Sequence, residues 1–98
     1  MRSVSAMQLA EMLQNEDVIL VDVREEYERE QFNIGGLHVR MEEAMQYDFN
    51  FPPGKPVVFY CEKGIRSGIV IQRISSRFPG VEMLNLAGGM SAWRKHIS

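Results

Sequence analysis

Residues 57–72 read VVFYCEKGIRSGIVIQ. Four apolar or aromatic residues run unbroken into Cys61, the only cysteine of the chain. So short an unbroken run predicts a strand covered on both faces, as in a parallel sheet. Gly64 then permits a backbone turn that a β-carbon would resist, and Arg66 follows. Beyond it the pattern changes. Val70, Ile71, Ile74 and Phe78 recur at helical spacing, predicting a helix over 67–78 that Pro79-Gly80 stops. A strand that runs into a helix is the unit of an α/β protein.

The same alternation extends outward. VILVD (18–22) is a second continuously apolar strand, with MLNL (83–86) and residues 37–39 as weaker ones and Val4 as the seed of an edge strand. Ser5 is the expected N-cap of a helix through about Gln14, with Ala6, Leu9, Ala10 and Leu13 on one face. MEEAMQY (41–47) reads as a short helix, NFPPGKP (50–56) as a loop, and MSAWRKHI (90–97) as a last helix after Gly88-Gly89. The expectation is an α/β sandwich around a mostly parallel sheet.

Composition narrows the function classes. Ninety-eight residues make one domain, 1–98, since two pieces would each lack an adequate core. Apolar content of 45% and charged content of 24% mark a globular chain rather than a disordered one. A net charge of −2 leaves no electrostatic footprint for nucleic acid or an anionic membrane, and no apolar run approaches a membrane span. The first residues, MRSVSAMQLAEMLQNED, lack the apolar core of a signal peptide, so the cytoplasm is expected. One cysteine excludes an internal disulfide and a cysteine metal cluster. His38 and His96 are too separated to suggest a metal site, and the seven methionines are scattered like core filler. No cofactor is expected.

Cys61 sits where ligand chemistry gathers in open α/β sheets, beyond the carboxyl end of a strand. The loop CEKGIR can curl its amides inward ahead of a helix N-terminus, which makes an anion cradle that stabilises a thiolate. Lys63 and Arg66 add positive charge; Glu62 works against them. A lone cysteine after an apolar strand is more often inert core. Here the glycine, the two cations and the abrupt strand-to-helix change favour a reactive thiol.

CEKGIRS (61–67) resembles the active-site loop of rhodanese-type sulfurtransferases. In the family's order, VILVDVREEYE (18–28) resembles its aspartate–valine–arginine stretch, NIGGLHV (33–39) its glycine turn, and LNLAGGMSAW (84–93) its C-terminal segment. The resemblance implies a three-layer α/β/α sandwich around a mostly parallel five-stranded sheet. It implies that Cys61 takes a sulfane sulfur from a small anionic donor such as thiosulfate, becomes a persulfide, and passes that sulfur on. The acceptor would be cyanide, a thiol or a sulfur-carrier protein, with no part for nucleic acid or membrane. The loop amides of Glu62, Lys63, Gly64, Ile65, Arg66 and Ser67 would hold the thiolate and then the persulfide. Arg66 and Lys63 would attract the donor. Asp22 and Arg24 would brace the loop as an ion pair, Gly88 and Gly89 would let backbone pass close to the site, and Trp93 would be core.

The NIGG turn resembles the variety often joined to adenylating enzymes of thiamine and molybdenum-cofactor synthesis. A proline commonly follows there; Arg40 stands in its place. Three other readings compete. A cysteine phosphatase wraps its phosphate in a longer loop, about five residues between cysteine and arginine, whereas CEKGIR has four. A non-catalytic interaction module has no need of the cysteine, glycine and arginine. A redox sensor lacks a second cysteine to resolve it.

Overall fold

Ser5 caps the first helix by a reciprocal exchange. Its hydroxyl accepts from the Gln8 amide at 3.1 Å, and the Gln8 side chain accepts from the Ser5 amide at 2.8 Å. In the computed structural model, which describes residues 1–97, this helix (α1, Ala6–Gln14) follows a two-residue strand (β1, Ser3–Val4). The chain continues through β2 (Ile19–Asp22), α2 (Glu26–Gln31), β3 (Leu37–His38), α3 (Met41–Ala44) and β4 (Val57–Tyr60). It ends with α4 (Ile65–Ile74), a 3-10 turn (Ser75–Arg77), β5 (Met83–Leu86) and α5 (Gly89–His96).

The five strands form one sheet in the order β1-β5-β4-β2-β3, and every pairing is parallel. The expected sandwich is therefore present. β4 lies at the centre with all four residues buried, as its unbroken apolar run predicts. Its side chains alternate between the faces. Val57 and Phe59 meet Val70 and Ile74 of α4 and Ala44 of α3. Val58 and Tyr60 meet Leu9 of α1 and Met90 and Trp93 of α5, so Trp93 is core. Phe59 also anchors an aromatic cluster that includes Phe51 of the 50–56 loop. Phe49 and Phe51 stack at 4.9 Å, and both approach Phe59 and Phe78 edge-on. Burying one such side chain contributes about 1.5–3 kcal/mol.

Several boundaries differ from the sequence expectation. α4 starts at Ile65, two residues early, because Gly64 takes φ +88° and serves as its N-cap. It stops at Ile74, and the 3-10 turn carries the chain to Phe78, which packs on the aromatic cluster from outside the helix. α3 closes after Ala44 rather than Tyr47. α2, EYEREQ, was not expected: it buries no residue, so it carries no apolar stripe. Its N-terminus is satisfied by the Glu28 side chain, which accepts from the Glu25 amide at 2.9 Å. Among the described residues no helix is long and apolar enough to cross a membrane.

Candidate active site

The carboxyl ends of β2 and β4 lie side by side, Asp22 opposite Tyr60, and Cys61 is the next residue. Its sulfur is sequestered, with the residue 1% exposed, and three groups point at it. The Gly64 amide donates at 3.1 Å, the Ser67 amide at 3.4 Å, and the Ser67 hydroxyl lies at 3.3 Å. The early start of α4 explains this. Ser67 falls in the first turn, where backbone N–H groups have no intrahelical acceptor, so its amide is free for the sulfur. Of the amides from Glu62 to Ser67 expected to form the cradle, these two make the hydrogen bonds. Ile65 is exposed on the rim.

Asn85 of β5 holds the cradle from behind. Its amide nitrogen donates to the Gly64 carbonyl at 2.9 Å, and its Oδ1 accepts from the Ser67 hydroxyl at 2.5 Å. That hydroxyl has one proton and two acceptors, Asn85 and the sulfur. α5 fixes the other side of the loop. The amides of Met90 and Ser91 donate to the carbonyls of Cys61 and Glu62 at 2.9 and 3.0 Å. Backbone passes close at this point, as expected of the glycine pair. Gly89 has φ +58°, and a Cβ there would stand 2.4 Å from the Cys61 carbonyl oxygen.

Asp22 and Arg24 form the expected ion pair, fully buried. Nε and Nη2 of Arg24 each donate to a carboxylate oxygen at 3.0 Å, and Nη2 also reaches the Phe32 carbonyl at 2.7 Å. Arg29 joins from α2, donating to Asp22 at 3.3 Å and to the Gly36 carbonyl at 2.8 Å. The cluster thus ties the end of β2 to the glycine turn. Burial opposes the Arg24 charge, but the hydrogen bond and charge of Asp22 outweigh it and raise the guanidinium above its ordinary value. Burial also pushes the Tyr60 phenol up to about 12, aided by the Asp22 charge, so Tyr60 stays a donor to the Gly35 carbonyl at 2.9 Å.

The charges nearest the loop are arranged differently from the expectation. Glu62 turns toward α5, accepting from Arg94 at 2.5 and 3.2 Å and from the Ser91 hydroxyl at 3.2 Å. The Arg94 hydrogen bond keeps its carboxyl below the usual range. Arg66 presents Nη1 and Nη2 to the two oxygens of Glu28, each at 2.8 Å, instead of standing open beside the loop. That bidentate pair holds the Glu28 carboxyl at about 2 and raises the Arg66 guanidinium. Lys63 is exposed and makes no hydrogen bond or ion pair with the described residues.

Sequence reasoning missed Asn85, Glu28 and Arg94. Asn85 left one signal, as the lone polar residue in an apolar strand. Glu28 and Arg94 left none, because each partner lies more than thirty residues away, 38 for Arg66 and 32 for Glu62.

The thiosulfate sulfurtransferase GlpE of Coxiella burnetii is 29% identical over 96 residues, covering 97% of this chain and 89% of that protein. A rhodanese homologue from Thermus thermophilus superposes with a TM-score of 0.73 at 28% identity, covering 94% of this chain and all of that one. The human single-domain sulfurtransferase TSTD1 shares the fold, with a TM-score of 0.81 at 24% identity over 100% of this chain and 99% of that one. The rhodanese-like domain model matches residues 5–96. With the parallel sheet and the strand-end cysteine, that match means the chain belongs to the rhodanese-like domain family.

Proposed function

We propose that the protein is a sulfurtransferase in which Cys61 carries a sulfane sulfur as a persulfide. One observation carries the reading: two amides and a hydroxyl converge on the Cys61 sulfur within 3.4 Å. Burial alone suits an inert core thiol equally well, but a core thiol is not surrounded by donors aimed at it. Such donors stabilise negative charge on sulfur, before and after a second sulfur is added. The relative named thiosulfate sulfurtransferase supports the same reading.

The chemistry is two displacements at sulfur. The Cys61 thiolate attacks the sulfane sulfur of thiosulfate; a new S–S bond forms as the donor's S–S bond breaks, and sulfite leaves with the bonding pair. Cyanide or a thiolate then attacks the outer sulfur of the persulfide and leaves as thiocyanate or a new persulfide. The Cys61 thiolate is restored. Gly64, Ser67 and Asn85 hold the cradle, while Asp22 and Arg24 brace the strand end on which it rests.

A phosphatase reading fits less well. Helix α4 begins within the loop, and the guanidinium that would clasp a phosphate is engaged by Glu28. Intact mass after incubation with thiosulfate tests the proposal. One added sulfur atom on the parent and none on Cys61→Ser is the expected result; no added sulfur on the parent rejects it.

A further inference from the structure

We propose that Arg94 of α5 is a positioning residue for the cysteine loop: it turns the Glu62 carboxylate outward and neutralises it, so that no free negative charge opposes a thiolate at Cys61. This rests on the sulfur-transfer reading of the site and concerns how the site stays receptive to charge on sulfur.

Glu62 follows Cys61 directly, and a carboxylate next to a nucleophilic sulfur disfavours its thiolate and repels an anionic donor. Arg94 answers both carboxylate oxygens, donating from Nη1 to Oε2 at 2.5 Å and from Nη2 to Oε1 at 3.2 Å. The Ser91 hydroxyl adds a bond to Oε2 at 3.2 Å, so α5 supplies both side chains that hold the acid. The Phe32 ring fixes the Arg94 guanidinium in turn, with its centroid 5.9 Å from Cζ. The loop backbone does not depend on this pair. The Met90 and Ser91 amides hold the carbonyls of Cys61 and Glu62 whichever way the Glu62 side chain faces. What Arg94 sets is the direction and the neutralisation of one charge.

Without Arg94 the carboxylate has a second guanidinium to turn to. Arg24 is fully buried, and its Nη1 makes no hydrogen bond with the described residues. Glu62 Oε1 lies 3.8 Å from that nitrogen, too far for a hydrogen bond but close enough for a side-chain rotation to complete one. Arg24 and Arg29 share the Asp22 carboxylate, and two cations around one anion attract a further acid. Turning inward would give Arg24 its missing acceptor. It would also carry the Glu62 charge from a partly exposed position toward the buried end of β2, beside the strand that leads into Cys61. Less water screens a charge there, so its opposition to a thiolate grows. Arg94 competes with Arg24 for Glu62 and holds it on the outer side.

The experiment measures thiosulfate-to-cyanide transfer at low ionic strength in the parent, Arg94→Ala, Arg94→Lys, and Arg94→Ala combined with Glu62→Gln. Circular dichroism checks the fold of each. Arg94→Ala is expected to lower kcat/KM about fivefold, and Arg94→Lys, which keeps a cation, less than about twofold. Adding Glu62→Gln to Arg94→Ala is expected to restore kcat/KM to within about twofold of the parent, because it removes the charge that Arg94 neutralises. Glutamine keeps an oxygen for the Ser91 hydroxyl. A merely structural role for Arg94 gives no such rescue. A double variant no better than Arg94→Ala overturns the inference alone, as does parent-like kcat/KM in Arg94→Ala, provided the parent takes sulfur from thiosulfate. Failure of the parent to take that sulfur overturns it together with the sulfur-transfer reading. Should Arg94→Ala not fold, Glu62→Gln by itself decides. Its kcat/KM is expected to rise about twofold, and a fall below the parent overturns the proposal.

Discussion

Gly89 lies against the carbonyl of Cys61 so closely that a Cβ on Gly89 would stand 2.4 Å from that oxygen and 2.6 Å from the Glu62 carbonyl. This contact lets the first turn of α5 donate to both carbonyls and hold the backbone of Cys61 and Glu62. Gly89→Ala must push α5 off the loop and also strain a left-handed φ of +58°. The expected loss of stability is about 2 kcal/mol or more, read by chemical denaturation. Gly35→Ala is the control: its φ is +91° but a Cβ there meets nothing within 4 Å, so its cost stays near about 1 kcal/mol. Equal costs for the two variants would show that the close approach is not what requires glycine at 89.

Cys61→Ala removes the only atom able to carry the sulfur covalently. Thiosulfate-to-cyanide transfer should fall to the uncatalysed background while circular dichroism stays that of the parent. Appreciable transfer by the folded alanine variant rejects the covalent intermediate.

Asn85 touches the sulfur only through Ser67 and Gly64, so it acts as a positioning residue. Asn85→Leu leaves the Gly64 carbonyl and the Ser67 hydroxyl without their partner, at about 1–3 kcal/mol. Sulfur transfer should fall about tenfold as the cradle loosens. Ser67→Ala combined with Asn85→Leu should cost less than the two single losses added, because both act on one network. Strict additivity in kcat/KM would separate the two residues.

The Glu28–Arg66 pair gives stability a defined acid dependence. The Glu28 carboxyl is held at about 2 in the folded chain, below its ordinary 4.5, chiefly by the Arg66 hydrogen bonds. A depressed carboxyl stabilises fully above its unfolded value and loses that contribution as pH falls toward the folded one. Glu28→Gln should therefore be less stable than the parent by about 1–2 kcal/mol at neutral pH, the value being reduced for partial exposure. The gap should close between about pH 4.5 and pH 2. Denaturation at a series of pH values measures it; a gap that stays constant across this window shows that the ion pair is not its source.

Lys63, exposed and without a partner among the described residues, is the cation left to draw an anion to the rim. Lys63→Ala should raise the thiosulfate KM about two- to threefold at low ionic strength, with a smaller effect at high salt. Parent-like kinetics at low salt would make Lys63 an ordinary solvated charge.

Local chemistry made much of the fold readable in the sequence. Unbroken apolar runs marked β2 and β4, and Ser5 marked the start of α1. The helical spacing of Val70, Ile71 and Ile74 marked α4, although it set the start two residues late and the end at Phe78. The cysteine at the end of β4, followed by Gly64, located the cradle, because strand-end position and a glycine turn are properties of adjacent residues. α2 escaped notice for the converse reason: a helix that buries nothing has no apolar period to display.

The electrostatics around Cys61 belong to the tertiary structure. From sequence, Glu62 stands next to the thiol and Arg66 five positions beyond it, which reads as one charge opposing the site and one serving it. The fold reassigns both. α5 brings Arg94 to Glu62, and α2 brings Glu28 to Arg66, across 32 and 38 residues. Asn85 reaches the loop because β5 lies beside β4 in the sheet, a strand order that no local pattern specifies. Periodicity and capping depend on neighbours within one or two turns, so a single sequence displays them. Which charges meet depends on how whole helices dock on the sheet, and that is decided only when the sheet is assembled.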